Sequence, residues 1–233
     1  MAVVTSGRRA KKRRFWIRIG VCALAAGVIL FAFIWEAVNG GDRDTKSDEP
    51  DKNLPPVARS EVQDAISGID WIIPAFLPIN EFSRPGDLIG EVNAIVIHYI
   101  GNPSTSAMQN RNYFANLAVT GETSASSNFI IGLDGEIIQC VPVDEVAYAS
   151  NYRNMDTISI ENCHPDESGE FTEETYASAV RLTAWLCGAF GLTADDVLRH
   201  YDVTDKECPK YFVDNEEAWE KFKGDVMAEL SAE

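Results

Sequence analysis

Between residues 197 and 211 the chain reads VLRHYDVTDKECPKY, which brings His200, Lys206 and Cys208 within nine residues, with Pro209 directly behind. The whole chain has only three histidines and five cysteines. Imidazole and thiolate are both metal ligands, and a catalytic zinc takes three protein ligands and keeps a fourth position for water. A third ligand is available in His98, which closes an apolar run and precedes the turn IGNP, where side chains project into clefts. His98, His200 and Cys208 together form a His₂Cys candidate set for zinc. A polar loop closed by Pro209, and a structural histidine at a strand end, would show the same residue types. The spacing His-x₇-Cys is a far weaker signal than paired Cys-x-x-Cys knuckles.

The elements that must position these residues are legible as a pattern. NAIVIHYI, Asn93 to Ile100, is a continuous β-branched run of the kind that forms a strand buried on both faces. Ser106 to Ala118 opens on a Ser cap and repeats apolar residues at helical spacing. Ser126 to Pro142 holds two apolar runs joined by GLDG, a hairpin signal. Asp156 to His164 reads as another strand. Thr172 to Gly191 reads as a strong helix, with Thr172 as cap, acidic residues in its first turn and Gly191 at its end. A last helix is predicted from about Asn215 to Leu230. Strands interleaved with helices predict an α/β domain, a central sheet flanked by helices, over residues 60–233.

Upstream, the charge is divided along the chain. Seven basic residues fall within the first 18, and the first acidic residue is Glu36. From residue 19 onward, thirteen basic residues stand against all 36 acidic ones, a formal charge of −23. A surface so negative argues against nucleic acid as a partner, because that affinity comes from neutralising phosphates. Ile19 to Trp35 carries no charge, and the apolar stretch counted from Phe15 has a length fit to cross a bilayer, with Trp16 and Trp35 near its ends. Residues 1–14 are therefore expected as a basic cytoplasmic tail, 15–36 as a transmembrane signal anchor, and the remainder outside the membrane. The run is longer than the core of a cleaved signal peptide, and WEAVNGG is a poor cleavage site. Residues 37–59 are polar and rich in Gly, Pro and Asp, which predicts a disordered stalk.

Four stretches carry a resemblance: AIVIHYIGNP, SSNFIIGLDGEIIQCVPVDEVAYAS, RNMDTISIENCHPDESGEFTEETY and RHYDVTDKECP. In this order, spanning about Ile89 to Trp219, they resemble the zinc-dependent N-acetylmuramoyl-L-alanine amidases of the phage-lysozyme and peptidoglycan-recognition-protein type. The resemblance implies a mixed central sheet flanked by helices, Zn²⁺ as cofactor and peptidoglycan as substrate. It maps the zinc ligands onto His98, His200 and Cys208, a cationic helper onto Lys206, and the catalytic acid onto Glu161.

The implied chemistry fits the residue types. Amide hydrolysis needs an activated water, a stabilised oxyanion and a proton for the leaving amine. Zinc supplies a bound water with a pKa near 7, Lys206 a positive charge for the oxyanion, and Glu161 a proton carrier. Ser159 and Glu161 alternate with Ile158 and Ile160, so the two polar residues share one face of their strand. As residues alone, Lys206 also reads as a solvated loop lysine and Glu161 as a strand-end carboxylate. The expected function is a membrane-anchored hydrolase of the bond between N-acetylmuramic acid and L-alanine, facing the cell wall. A non-catalytic peptidoglycan receptor and a zinc peptidase acting within the stem peptide are the alternatives.

Two departures from the family pattern bear on the site. Ser127 and Asn128 stand where many relatives have Tyr-His or Ser-His, and Asp205 stands where Gly is common. His164, beside Pro165 and close to Gly169, is expected to serve a turn and not a metal. With Cys22 in the apolar stretch and Cys208 at the site, Cys140, Cys163 and Cys187 remain. They allow at most one intramolecular disulfide, with Cys140 and Cys163 as the pair at strand ends.

Overall fold

A computed structural model describes residues 59–232. The predicted tail, membrane anchor and stalk lie outside these residues, apart from residue 59 at the stalk's end. Among the described residues no helix is long and apolar enough to cross a membrane.

Six strands form one sheet in the order β1-β4-β3-β5-β2-β6. They are β1 (Ile72–Pro74), β2 (Ala94–Tyr99), β3 (Phe129–Ile131), β4 (Ile137–Gln139), β5 (Thr157–Asn162) and β6 (Val197–Arg199). The sheet is mixed: β3, β5, β2 and β6 run parallel, while β4 is antiparallel to β3 and parallel to β1. Strand β3 and β2 up to Ile97 are apolar on both faces, whereas β5 alternates Ile158 and Ile160 with Thr157, Ser159 and Glu161.

The sheet separates two cores. On one face Ile95, Ile97, Phe129, Ile131, Ile158 and Ile160 pack under α1 (Arg59–Ser67), α3 (Glu173–Phe190) and α6 (Glu216–Leu230). On the other, Ile130 and Ile138 pack with Ala107, Phe114 and Leu117 of α2 (Ala107–Thr120). Both long central helices are capped as their sequences predict. Ser106 and Gln109 form a reciprocal capping box on α2, and Thr172 Oγ1 accepts the Thr175 N–H at 3.0 Å on α3. Gly191 ends α3 at φ 67°. In the hairpin between β3 and β4, Gly135 has φ 79°, and a Cβ there would meet the Glu174 carbonyl oxygen at 2.8 Å. That close approach seats the start of α3 on the hairpin.

Five elements were not anticipated: α1, β1, β6 and the five-residue helices α4 (His200–Thr204) and α5 (Lys210–Asp214). Each is short, and β1 and β6 have three residues apiece, too few to show a period. Helix α1 is held by Val62 and Ile66, both buried, and by Gln63, whose Oε1 accepts the N–H of Val143 at 2.9 Å and Nε2–H of Gln139 at 2.8 Å. Among the described residues, the cysteines outside the site, Cys140, Cys163 and Cys187, are buried free thiols, and burial raises the pKa of each to about 12. Cys140 sits beside Asn128 at one end of β3, whereas the Cys163 N–H donates to Ile131 at the other, so the two strand-end cysteines do not meet.

Candidate metal centre and cleft

The parallel strands β5, β2 and β6 end at the same edge of the sheet, where ligands of open α/β sheets are bound. Register puts His98 of β2 directly opposite Glu161 of β5. On the other side of β2, Ile97 pairs with Arg199, the last residue of β6, and His200 follows at once as the first residue of α4 (His200–Thr204). Neighbouring strands thus deliver both imidazoles and the carboxylate to one place. Cys208 comes from the loop between α4 and α5 (Lys210–Asp214), and its carbonyl accepts the Tyr201 N–H at 2.9 Å. That bond folds the loop back onto α4.

Arg199 fixes this corner. It is 8% exposed, and its guanidinium donates to Asp202 of α4 at 2.9 Å, to the Phe212 carbonyl at 3.0 Å and to Glu216 of α6 at 2.7 Å. One buried cation therefore ties together β6, α4, α5 and α6 around His200.

One ligand atom from each of His98, His200 and Cys208 lies within 4.8 Å of the others, and all three residues are buried. Cys208 Sγ is 3.9 Å from His98 Nδ1. His200 Nδ1 is buried with no hydrogen-bond partner. Tetrahedral zinc bonds of about 2.1 Å to nitrogen and 2.3 Å to sulfur imply a ligand separation of about 3.6 Å, so this spacing suits a shared ion. Protonation fits as well. Burial, with His200 and Lys206 nearby, holds the His98 pKa well below its usual value. Burial and then Lys206 lower that of His200 to about 4. Both rings are neutral at pH 7 and offer a lone pair. Burial, and secondarily Glu161, raises the Cys208 thiol to about 12, against the Tyr99 N–H and Lys206. A metal ion is what would make this thiol a thiolate.

Two members of the cluster, His98 and His200, open onto a cleft of about 340 Å³ that is also lined by Glu161, Lys206, Phe114, the 124–126 segment and the 148–154 loop. Helix α2 packs on β3 and β4, so the face beyond it, over the ends of β5 and β2, is left to these loops. Glu161 is half-buried, and its Oε2 is enclosed without a partner. Burial raises its pKa to about 8, and the Lys206 charge opposes that rise. The structure brings together all five residues expected at the site.

His164 lies outside the cluster, in the expected turn. Its Nδ1 is 2.7 Å from the Asp166 carbonyl oxygen, its Nε2 2.5 Å from that of Ile100, and its ring stacks on Tyr99. Of the two departures, Asn128 is a buried clasp: its Oδ1 accepts from the Ser159 N–H and Oγ–H at 3.0 and 3.1 Å, and its Nδ2 donates to the Pro142 carbonyl. Ser159 is thus turned into the sheet and not towards the cleft. Asp205 does occupy a left-handed conformation, φ 59°, at the end of α4. Asp is among the few non-glycine residues that adopt it at small cost. Sequence reasoning missed the loop residues Ser150, Asn151 and Asn154, which carried no signal beyond a polar composition.

The family profile described as N-acetylmuramoyl-L-alanine amidase matches residues 89–211. A probable N-acetylmuramoyl-L-alanine amidase of Bacillus licheniformis is 34% identical over 154 residues, 61% of this chain and 43% of that protein. The N-acetylmuramoyl-L-alanine amidase BlyA of Bacillus subtilis (strain 168) is 33% identical over 178 residues, 67% of this chain and 47% of that protein. The chain spans less than half the length of these curated relatives. Among solved structures, a mutant endolysin from Bacillus subtilis superposes with a TM-score of 0.57 at 27% identity, over 66% of this chain and 97% of that one.

Proposed function

Because the chain belongs to the N-acetylmuramoyl-L-alanine amidase family, we propose that it hydrolyses the amide between N-acetylmuramic acid and the L-alanine of the peptidoglycan stem peptide, with zinc held by His98, His200 and Cys208. The observation that carries this reading is the buried His₂Cys cluster at the cleft, with Glu161 in register beside His98. Zinc, when bound, supplies a water acidified to a pKa of about 7 and a pull on the scissile carbonyl.

The chain's own residues supply the remainder. Glu161 takes a proton from the attacking water and returns it to the departing amine. Its pKa, raised by burial and drawn down by Lys206, sits near neutrality, where one carboxyl can do both. Lys206 presents a fixed positive charge to the oxyanion developing on the substrate carbonyl.

The test is mass spectrometry of purified wall digested with the zinc-loaded full chain. New L-alanine amino termini and intact muramic-acid ends are expected. Zinc-loaded protein that binds wall fragments and releases neither would make it a receptor, and cuts between stem-peptide residues would make it a peptidase.

The uncharged stretch from Ile19 to Trp35, behind a basic cluster, supports a further part of the reading: a single-pass anchor with a cytoplasmic N-terminus and the amidase domain at the cell wall. Protease added to intact wall-stripped cells should then degrade the domain. A domain protected until lysis would overturn the topology.

A further inference from the structure

Neither sequence pattern nor chemistry singled out the loop between β4 and β5, yet it touches both candidate histidine ligands. His98 Nε2 lies 3.3 Å from Ser150 Oγ, and His200 Nε2 lies 2.8 Å from Asn151 Oδ1. In each ring the other nitrogen, Nδ1, is left available for the cluster: at His98 it lies 3.9 Å from Cys208 Sγ, and at His200 it is buried without a partner. A neutral imidazole carries one proton, and the hydrogen bond at one nitrogen decides which nitrogen keeps a lone pair. An amide oxygen only accepts, so Asn151 places the His200 proton on Nε2 and leaves Nδ1 free.

We propose that Ser150 and Asn151 are positioning residues that hold the rings of His98 and His200 in orientation for metal binding, and that Asn151 also fixes the tautomer of His200. This rests on the zinc reading above.

The loop is itself anchored against movement. Asn154 Oδ1 accepts the N–H groups of Ala149 and Ser150 at 3.1 and 2.6 Å. Arg153 pairs with Asp156 at 2.8 Å, and Thr157 Oγ1 donates to the Arg153 carbonyl at 2.8 Å. Tyr152 Oη donates to the Val203 carbonyl at 3.1 Å, which ties the loop to α4, the helix that His200 opens. Loop and helix therefore hold a fixed distance, and consecutive residues can serve histidines from different elements. Asn151 sits at φ 55°, a left-handed conformation that asparagine tolerates and most residues do not. The backbone there turns the side chain of residue 151 to one histidine and that of residue 150 to the other.

The experiment compares zinc affinity, by competition with a chromophoric chelator, in the full chain and three variants. Asn151→Gly removes the acceptor while suiting the positive φ, Asn151→Asp keeps an acceptor, and Ser150→Ala removes the partner of His98. Losing such an outer partner typically weakens metal binding about 10–100-fold. Asn151→Gly is expected to fall in that range, Ser150→Ala to show a smaller loss across its longer contact, and Asn151→Asp to stay within about threefold of wild type, by retention of the same acceptor. The visible spectrum of the cobalt-substituted protein should shift in Asn151→Gly and not in Asn151→Asp, with metal-free melting of the two variants alike. Wild-type affinity in Asn151→Gly, or equal weakening in Asn151→Asp, would overturn the proposal while leaving zinc in place. A wild-type chain that takes up no zinc would remove the zinc reading and this proposal together. Wild-type zinc binding with the expected variant pattern and no wall product would sustain the positioning role and reject only the amidase.

Discussion

At the scale of single residues, three buried side chains with mutually compatible protonation support the proposed metal site. Burial suppresses the charge on His98 and His200 and keeps the Cys208 proton in place until an ion displaces it. Cys208→Ser exchanges a thiolate for a neutral hydroxyl and should lose zinc, measured as metal equivalents after dialysis against a weak chelator. His164→Ala should keep its full equivalent, because both nitrogens of that ring face backbone carbonyls. Loss of zinc from His164→Ala with retention in Cys208→Ser would reverse the ligand assignment. Glu161→Gln preserves shape and removes the proton carrier. It should lower kcat by about 10²–10⁴ with zinc content and wall affinity unchanged, the mark of an interaction made in the transition state. Full activity in Glu161→Gln would move the proton transfer to another group.

At the scale of elements, the site depends on clasps between strands and loops. Asn128, one of the two residues set against the family's Tyr-His or Ser-His, binds β5 and the segment after β4 through three side-chain hydrogen bonds. Asn128→Ala would strand the Ser159 N–H and the Pro142 carbonyl in a buried setting, where each unsatisfied group costs about 1–3 kcal/mol. A loss of about 2–4 kcal/mol is expected by urea unfolding, since some repacking recovers part of the penalty. An unchanged midpoint would show that Ser159 finds another partner. The same logic places Arg199 beside His200: the guanidinium that joins four elements also sets where the second ligand can stand.

For the molecule as a whole, the position of the domain boundary follows from burial. Helix α1 packs Val62 and Ile66 into the same core as α3 and α6, so residues from about 59 onward belong to the folded body. Ile66→Ala should cost about 2–4 kcal/mol and lower Tm by on the order of 10 °C. No change in Tm would mean that α1 adds nothing to the stability of the folded body. On the proposed reading, the acidic balance after residue 19 would repel wall polymers of like charge, and recognition would fall to the cleft, whose lining includes the cationic Lys206.

The sequence by itself determined the long elements and picked out the five residues proposed for the site. Hydrophobic period, caps at Ser106 and Thr172 and the terminal Gly191 are local signals, each set within one or two turns of chain. They placed β2, β5, α2 and α3 to within a few residues, and they put His98 at a strand end. Asp205, read as a position where glycine is common, proved to be left-handed, again a local property. What only the tertiary structure decided involves partners far apart in sequence. The three-residue strands β1 and β6 exist because β4 and β2 offer them an edge. The face that holds Glu161 beside His98 depends on strand register, which no single segment encodes. Cys140 and Cys163 looked like neighbours as strand ends and are separated by the direction of β3. Ser150 and Asn151 were invisible for the same reason. Their polarity is ordinary for a loop, and their meaning arises only where histidines about 50 residues away, on two different elements, turn one nitrogen each towards them.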